Sequence, residues 1–223
     1  MKKIKSICID TVTTIQENEW MTDRKKPNHD KWKDYGQGIF TFHLKLQALG
    51  FETVLVIGQP GTGKSSGMRT LETETNIWFN CDNKNPVWRG GREEYGRKVS
   101  PKTPLHVIPK TYDEVTAYIK SGLDSDMFEE YRIAFLIGHP ETYKEGIDTK
   151  SRLKTLGNMA TTMQLEGRME NVFYANVKME NNKPQYVLQT QNNGYNTVRS
   201  PQDLFDLEIE NDYGLIYDKL STY

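Results

Sequence analysis

The stretch at residues 53–66, TVLVIGQPGTGKSS, constrains the fold more than any other part of the chain. Thr53, Val54, Leu55, Val56 and Ile57, all β-branched or apolar, lead into Gly58-Gln59-Pro60-Gly61-Thr62-Gly63-Lys64-Ser65, the G-x-x-x-x-G-K-[ST] spacing of a phosphate-binding loop. Each residue type has a physical job there. The glycines permit a tight turn whose successive N–H groups converge on one concavity and meet anionic oxygens. Lys64 reaches toward the β- and γ-phosphates, and the Ser65 hydroxyl is placed for Mg2+. A helix expected from about Ser65, over Ser66 to Glu72, adds the positive end of its dipole. The phosphate-binding set is therefore Gly58, Gln59, Pro60, Gly61, Thr62, Gly63, Lys64, Ser65 and Ser66.

With 223 residues the chain can bury a sizeable core as one α/β domain, or as one domain with an appendage. Its 29 Lys and Arg against 30 Asp and Glu leave a net charge of −1, so there is no global attraction to nucleic acid or membrane and any polyanion site must be local. Cys8 and Cys81 lie in apolar strand-like runs and read as reduced core residues of a cytoplasmic protein rather than a disulfide or metal pair. Met1-Lys2-Lys3-Ile4 has no apolar run behind it, and no segment reaches membrane-spanning length.

Along the chain, IKSICID at residues 4–10 reads as a buried strand ending in Asp10, a candidate Mg2+ carboxylate, with Thr11 and Thr13 able to hydrogen-bond around it. Aspartate is also a common strand terminator. Residues 16–36 show no sustained period and mix Arg24, Lys25, Lys26, Lys31 and Lys33 with Trp20, Trp32, Tyr35 and His29. Cations for phosphates and rings for bases suit single-stranded nucleic acid, and a solvated surface loop fits the same composition. Helical spacing (Ile39, Phe42, Leu46, Leu49) predicts a helix over 38–49 with Gly50 as its C-cap. NIWFNC at 76–81 is a short strand ending at Asp82, and 83–104 is a Gly-, Pro- and charge-rich irregular segment. Residues 105–108 form a minor strand, and Thr111 to Glu114 looks like a capping box opening a helix to about Lys120, closed by Gly122. RIAFLIG at 132–138 is another buried strand, followed by His139-Pro140. A polar, basic stretch over 141–158 carries Lys144, Lys150, Arg152 and Lys154. Residues 171–179 and 185–190 read as a β-hairpin, and 201–223 as a partly helical tail.

Two features stand out together. VLVIG-Gln59-Pro60 and AFLIG-His139-Pro140 are near copies, and the best metal-binding strand, ICID, precedes the phosphate loop instead of following it. The stretches ICIDTVTTI, LKLQALGFE, GQPGTGKSS, IGHPETY and LEGRMENVFYANV…YVLQTQNNGYNTVRSPQDLF resemble phage single-strand annealing and recombination ATPases, which are RecA-related P-loop proteins. The resemblance covers most of the chain, but the order of the pieces departs from the family. It implies a rewired, engineered version in which two blocks are exchanged, with both junctions at the shared Ile-Gly; an ordinary relative with two similar strands is the alternative. If the exchange is right, residues 53–57 lead into the loop, and 134–137 lie between them and the Asp10 strand.

The resemblance implies one three-layer RecA-like P-loop domain over 1–223 with a mainly parallel sheet, a C-terminal hairpin and non-native connectivity. Residues 1–57 supply the Asp10 strand and the loop strand, 58–138 run from the loop to the sensor strand, and 139–223 hold a DNA-facing loop, hairpin and tail. It implies ATP and Mg2+ as cofactors, Ser65 and Asp10 at the metal, and Lys64, Asp82 and His139 as catalytic residues. Of these, Asp82 is the candidate base and His139 the γ-phosphate sensor, although a strand-end histidine without a ligand is equally ordinary. Residues 17–36 and 140–158 correspond to DNA-facing loops, so Lys25, Lys26, Lys31, Lys33, Lys150, Arg152 and Lys154 are the implied single-stranded DNA contacts, and Arg199 is a cation that could act on a neighbouring subunit. The expected function is Mg2+-dependent ATP hydrolysis linked to single-stranded DNA in phage recombination. The expected setting is a ring or filament of identical chains in the host cytoplasm, or a recombinant protein, with no membrane partner. Two alternatives stand beside it: a rewired fold that binds nucleotide with little or no turnover, and a nucleotide kinase drawing on Arg89, Arg92 and Arg97.

Overall fold

A computed structural model describes residues 2–22, 31–95, 98–100, 103–155 and 165–223. In chain order, β1 (Ile4–Asp10), α1 (Val12–Thr22), α2 (Lys31–Ala48) and β2 (Glu52–Gly58) precede the phosphate loop, and a 3-10 helix (Ser65–Thr70) follows it. Next come β3 (Asn76–Asn80), α3 (Gly91–Tyr95), β4 (Lys98–Ser100), β5 (Thr103–Pro104), β6 (His106–Val107), α4 (Tyr112–Asp124) and β7 (Phe128–Gly138). The chain closes with β8 (Pro140–Glu145), β9 (Asp148–Leu153), β10 (Asn171–Glu180), β11 (Lys183–Gln189), β12 (Glu208–Glu210) and α5 (Tyr213–Ser221).

Eight strands form one mixed sheet in the order β12-β11-β10-β2-β7-β1-β3-β6. From β10 to β6 every pairing is parallel, whereas β11 and β12 add antiparallel strands at the C-terminal edge. β8 pairs with β9 as a separate hairpin, and β4 with β5 as a second small ladder. The two near-copy strands are neighbours, with Val56 opposite Ile137, and β7 lies between the loop strand and the Asp10 strand.

The apolar runs explain why these strands are central. Residues 53–58 of β2 and 133–138 of β7 are buried without interruption, and successive strand residues point to opposite faces, so both faces are covered. Cys8, Phe135 and Trp78 share one face by register, and there Phe135 stacks on Tyr213 of α5 with ring centroids 4.6 Å apart. Ile9, Leu136 and Phe79 share the other face, where Phe79 meets Tyr118 of α4 edge-on. On that side α2 and α4 are joined by the Phe42–Tyr112 stack, and the Tyr112 hydroxyl donates to the Val12 carbonyl of α1. Cys8 and Cys81 are free and buried.

Local chemistry decides the helix ends. Gly50 takes φ +78° after α2, and a side chain there would strike the Arg132 guanidinium, so the expected C-cap is in place. Thr111 caps α4 by accepting from the Glu114 N–H, while the Glu114 carboxylate accepts from the Lys110 N–H instead of closing on Thr111. α4 runs through Gly122 to Asp124, because Gly122 packs against Met127 and Phe128 and does not stop the helix.

Three sequence expectations are corrected. Within 16–36, α1 continues to Thr22 and α2 already begins at Lys31, so the described parts are helical. The segment over 141–158 is, where described, largely the β8–β9 hairpin. The helix after the phosphate loop is a 3-10 helix of six residues ending at Thr70. Its sequence, SSGMRT, is rich in residues that favour local side-chain bonds over α-helix. Ser66 Oγ and Thr70 Oγ1 each donate to the carbonyl three residues back, at 2.7 and 2.9 Å, which favours the tighter turn. No helix among the described residues is long and apolar enough to cross a membrane.

Candidate functional site

The C-terminal ends of the parallel strands converge on one cleft of about 860 Å3. β2 delivers the phosphate loop, β1 delivers Asp10, β3 runs out to Asp82, and β7 delivers His139, and all four positions line the cleft. The carboxyl ends of parallel strands are where open α/β sheets bind ligands. Asp10 and Asp82 are thus brought together with Lys64 and Ser65 from separate parts of the sequence.

The loop itself is built on glycine. Gly61 and Gly63 take φ +83° and +81°, and a side chain at Gly63 would enter the Tyr186 ring at 2.7 Å. The amide of Thr62 bonds back to Gln59 O, and that of Ser66 to Gly63 O. The N–H groups of Gly61, Gly63, Lys64 and Ser65 have no partner among the described residues and form the candidate anion cradle. Lys64 is buried, and its ammonium donates to the carbonyls of Gly58 (2.6 Å) and Gln59 (2.9 Å), which hold it across the mouth of the loop.

Burial shapes the charges. It pushes the Asp10 carboxyl up to about 6, and the charge of Asp82 adds to this, while the Ser65 hydroxyl and the Lys64 and Lys84 ammoniums oppose it. Burial also brings Lys64 down to about 8, with Lys84 pushing the same way and Asp10 and Asp82 opposing. The two shifts have one cause: a carboxylate and an ammonium are desolvated beside each other without full mutual compensation. His139 is held below the ordinary histidine range by burial and by the Lys64 charge, both of which favour the neutral imidazole. Its Nδ1 is buried with no partner among the described residues.

Asp82 is engaged on both oxygens. Thr14 Oγ1 donates to Oδ1, and the Lys84 ammonium donates to Oδ2 at 2.5 Å. Thr14 is in turn fixed by Thr11, whose hydroxyl lies 2.9 Å from its own. The carboxylate is therefore oriented by α1 on one side and by the segment after β3 on the other.

The donor set fits magnesium with a triphosphate. Among the described residues no group of three or more His, Cys, Asp and Glu is gathered. Two carboxylates, the Ser65 hydroxyl and a free amide cradle match a hard cation that keeps several waters and shares phosphate oxygens. Asp10 and Ser65 are the side chains that would hold it, and Lys64 with the amides of 61–65 would hold the phosphates. An ATP-Mg2+ group bound there would supply the leaving group and neutralise charge between its phosphates.

Several supports were not legible in the sequence. The Asn211 side-chain amide donates to Gly63 O at 2.5 Å, and the Tyr213 hydroxyl to Lys64 O at 2.6 Å. A Cβ at Gly67 would meet both residues at about 2.6 Å, so the start of α5 is packed directly on the 3-10 helix. Tyr186 of β11, Lys84, Trp88 and Arg69 complete the walls of the cleft. No motif links residues so far apart; only the stacking of the C-terminal strands beside β2 does.

The implied nucleic-acid residues fare differently. Lys25 and Lys26 lie outside the described residues, and Lys31 and Lys33 fall in the first turns of α2. Lys150 pairs with Glu145, Arg152 with Glu141 at 2.7 Å, and Lys154 with Glu17 at 3.6 Å. Lys150 and Arg152 of the β8–β9 hairpin, and Lys154 just after it, are thus each beside a carboxylate. Arg199 donates to Gly167 O at 3.0 Å, and its backbone pairs with Val172, which ties it to its own chain. Arg89 lines the cleft, whereas Arg97 lies outside the described residues.

No protein family, curated protein or solved structure matches the chain.

Proposed function

We propose that the chain is a RecA-like P-loop ATPase, built on three layers and rewired in its connections, that binds ATP with Mg2+ and hydrolyses it. The observation that carries this reading is the convergence of Lys64, Ser65, Asp10, Asp82 and His139 on one cleft although ICID precedes the loop in sequence. The spatial order β10-β2-β7-β1-β3 supports it, because it separates the loop strand from the carboxylate strand by one intervening strand that ends at a polar residue. In this reading the amides of 61–65 and Lys64 hold the triphosphate, Asp10 and Ser65 hold the metal, and Asp82 orients the attacking water. His139 donates a hydrogen bond to the γ-phosphate as a neutral ring. Catalysis is then positioning and electrostatic stabilisation, with little covalent chemistry for the protein to do. Single-stranded DNA is the proposed modulator, in phage recombination and through a ring or filament.

The test is phosphate release from ATP and Mg2+, with and without single-stranded DNA, and with Lys64→Ala as the blank. Turnover that vanishes in the variant is the expected result. Unchanged nucleotide affinity in Lys64→Ala would remove the loop from the site.

A second reading is favoured by the paired hairpin cations and the shortened helix after the loop: a rewired fold that binds nucleotide with little turnover and no response to DNA. Binding without phosphate release, in a chain that stays monomeric with DNA and ATP, would select it.

A further inference from the structure

The cleft extends past the phosphate cradle toward the C-terminal edge of the sheet, and that end is not used by any residue of the proposed hydrolytic set. The direction of a bound triphosphate follows from topology. Asp10 and Asp82, which would face the metal and the terminal phosphate, stand at the ends of β1 and β3. β10, β11 and β12 lie on the opposite side of β2. A nucleoside therefore leaves the loop toward β11, where the first aromatic side chain in the cleft wall is Tyr186.

Tyr186 is built for a planar partner. Its ring is packed against Gly63, close enough that a side chain at 63 would enter it at 2.7 Å, so one part of the ring is braced by the phosphate loop. The residue is nevertheless 42% exposed and lines the cleft. Its backbone carbonyl accepts from the Asn211 N–H, and the Asn211 side chain holds Gly63 O, so the strand carrying the ring and the loop carrying the phosphates are tied to the same residue. The other large rings of the wall are already committed: Trp78 is buried and stacks on His106 with centroids 4.6 Å apart, and the Trp88 indole N–H donates to Glu94 at 3.2 Å while its ring meets Tyr95 edge-on. Trp88 also lies in the segment after β3, beyond the terminal-phosphate end.

The geometry points to Tyr186 as the stacking platform for the nucleobase of the triphosphate bound at residues 58–66, a subsite that rests on the phosphate-loop reading. Stacking on a tyrosine face is tolerant of base identity, because every base presents a π-face. The ligand class is thus a nucleoside triphosphate whose base adds affinity through ring contact, with the phosphates doing the anchoring.

The experiment separates the two ends of the ligand. Affinities of Mg2+-tripolyphosphate, Mg2+-ATP and Mg2+-GTP are measured by calorimetry on the full chain and on Tyr186→Ala and Tyr186→Phe. The expected result is that both nucleotides bind the unaltered protein at least about tenfold more tightly than tripolyphosphate. Tyr186→Ala removes that difference while leaving tripolyphosphate binding unchanged, and Tyr186→Phe restores it. Nucleotide affinity unchanged in Tyr186→Ala, or no gain of nucleotide over tripolyphosphate in the unaltered chain, overturns the platform and leaves the phosphate loop standing. Failure of tripolyphosphate and nucleotides alike to bind the unaltered chain overturns both. Retained tripolyphosphate binding in Tyr186→Ala shows that the variant is folded.

Discussion

Asp10 and Lys64 carry the largest electrostatic tension in the cleft, and it has a measurable sign. An aspartate whose folded value rises from 3.8 to about 6 holds its proton more tightly in the folded chain than in the unfolded one. Stability therefore declines as pH rises from about 4 to about 6, and the loss persists above that range. Two pH units correspond to about 3 kcal/mol. Asp10→Asn is accordingly expected to raise the unfolding free energy at pH 7 by up to about 3 kcal/mol, to bring no gain near pH 4, and to abolish Mg2+-dependent turnover. Urea unfolding at the two pH values, with phosphate release alongside, checks this; a destabilised Asp10→Asn at pH 7 would mean that the carboxylate is needed by the fold. The same two groups set the expected profile of kcat/KM, which reports the free enzyme. It should fall below about 6 as Asp10 takes up a proton and fall above about 8 as Lys64 loses one. A profile flat from pH 5 to 9 would detach both residues from the chemistry.

At the scale of elements, the short 3-10 helix and α5 act as one unit. The carbonyls of Gly63 and Lys64 accept from Asn211 and Tyr213 as well as from the N–H groups of the turn that follows, so the loop is braced from the C-terminal part of the chain. Tyr213→Phe removes the shorter of two donors to Lys64 O, which keeps the Gly67 N–H at 3.3 Å, and is expected to cost about 0.5–1.5 kcal/mol. It should also raise the KM for ATP, because the amide cradle loses its support. Unfolding and nucleotide titration of Tyr213→Phe measure the two effects; a loss of stability with unchanged KM would make the contact purely structural. The helix expected from about Ser65 starts there but is a short 3-10 helix ending at Thr70 for a local reason, since SSGMRT offers hydroxyls to its own backbone. The brace itself was illegible, because Tyr213 lies 149 residues from Lys64.

For the whole molecule, the decisive relation is that β2 and β7 are neighbours. Their registered pair, Val56 and Ile137, is fully buried. Ile137→Val should cost about 0.5–1.5 kcal/mol and Val56→Ala about 2 kcal/mol. The double variant should depart from their sum by at least about 0.5 kcal/mol, because contacting residues couple. Strict additivity by urea unfolding would place the strands apart. What the sequence alone determined was everything carried by short spacing: the glycine-rich turn at 58–65, the strands as apolar runs, Asp10 and Asp82 at or just past strand ends, and the caps at Gly50 and Thr111. These follow from local backbone preference and from the side-chain periods of helix and strand. What only the tertiary structure decided was which strand ends meet. It drew Asp10, Asp82 and His139 around Lys64, paired the hairpin cations with Glu141 and Glu145, and brought Tyr186 and Tyr213 onto the loop. Those contacts depend on the order in which strands stack. That order is set by burying both faces of a whole sheet, a property no window of sequence contains.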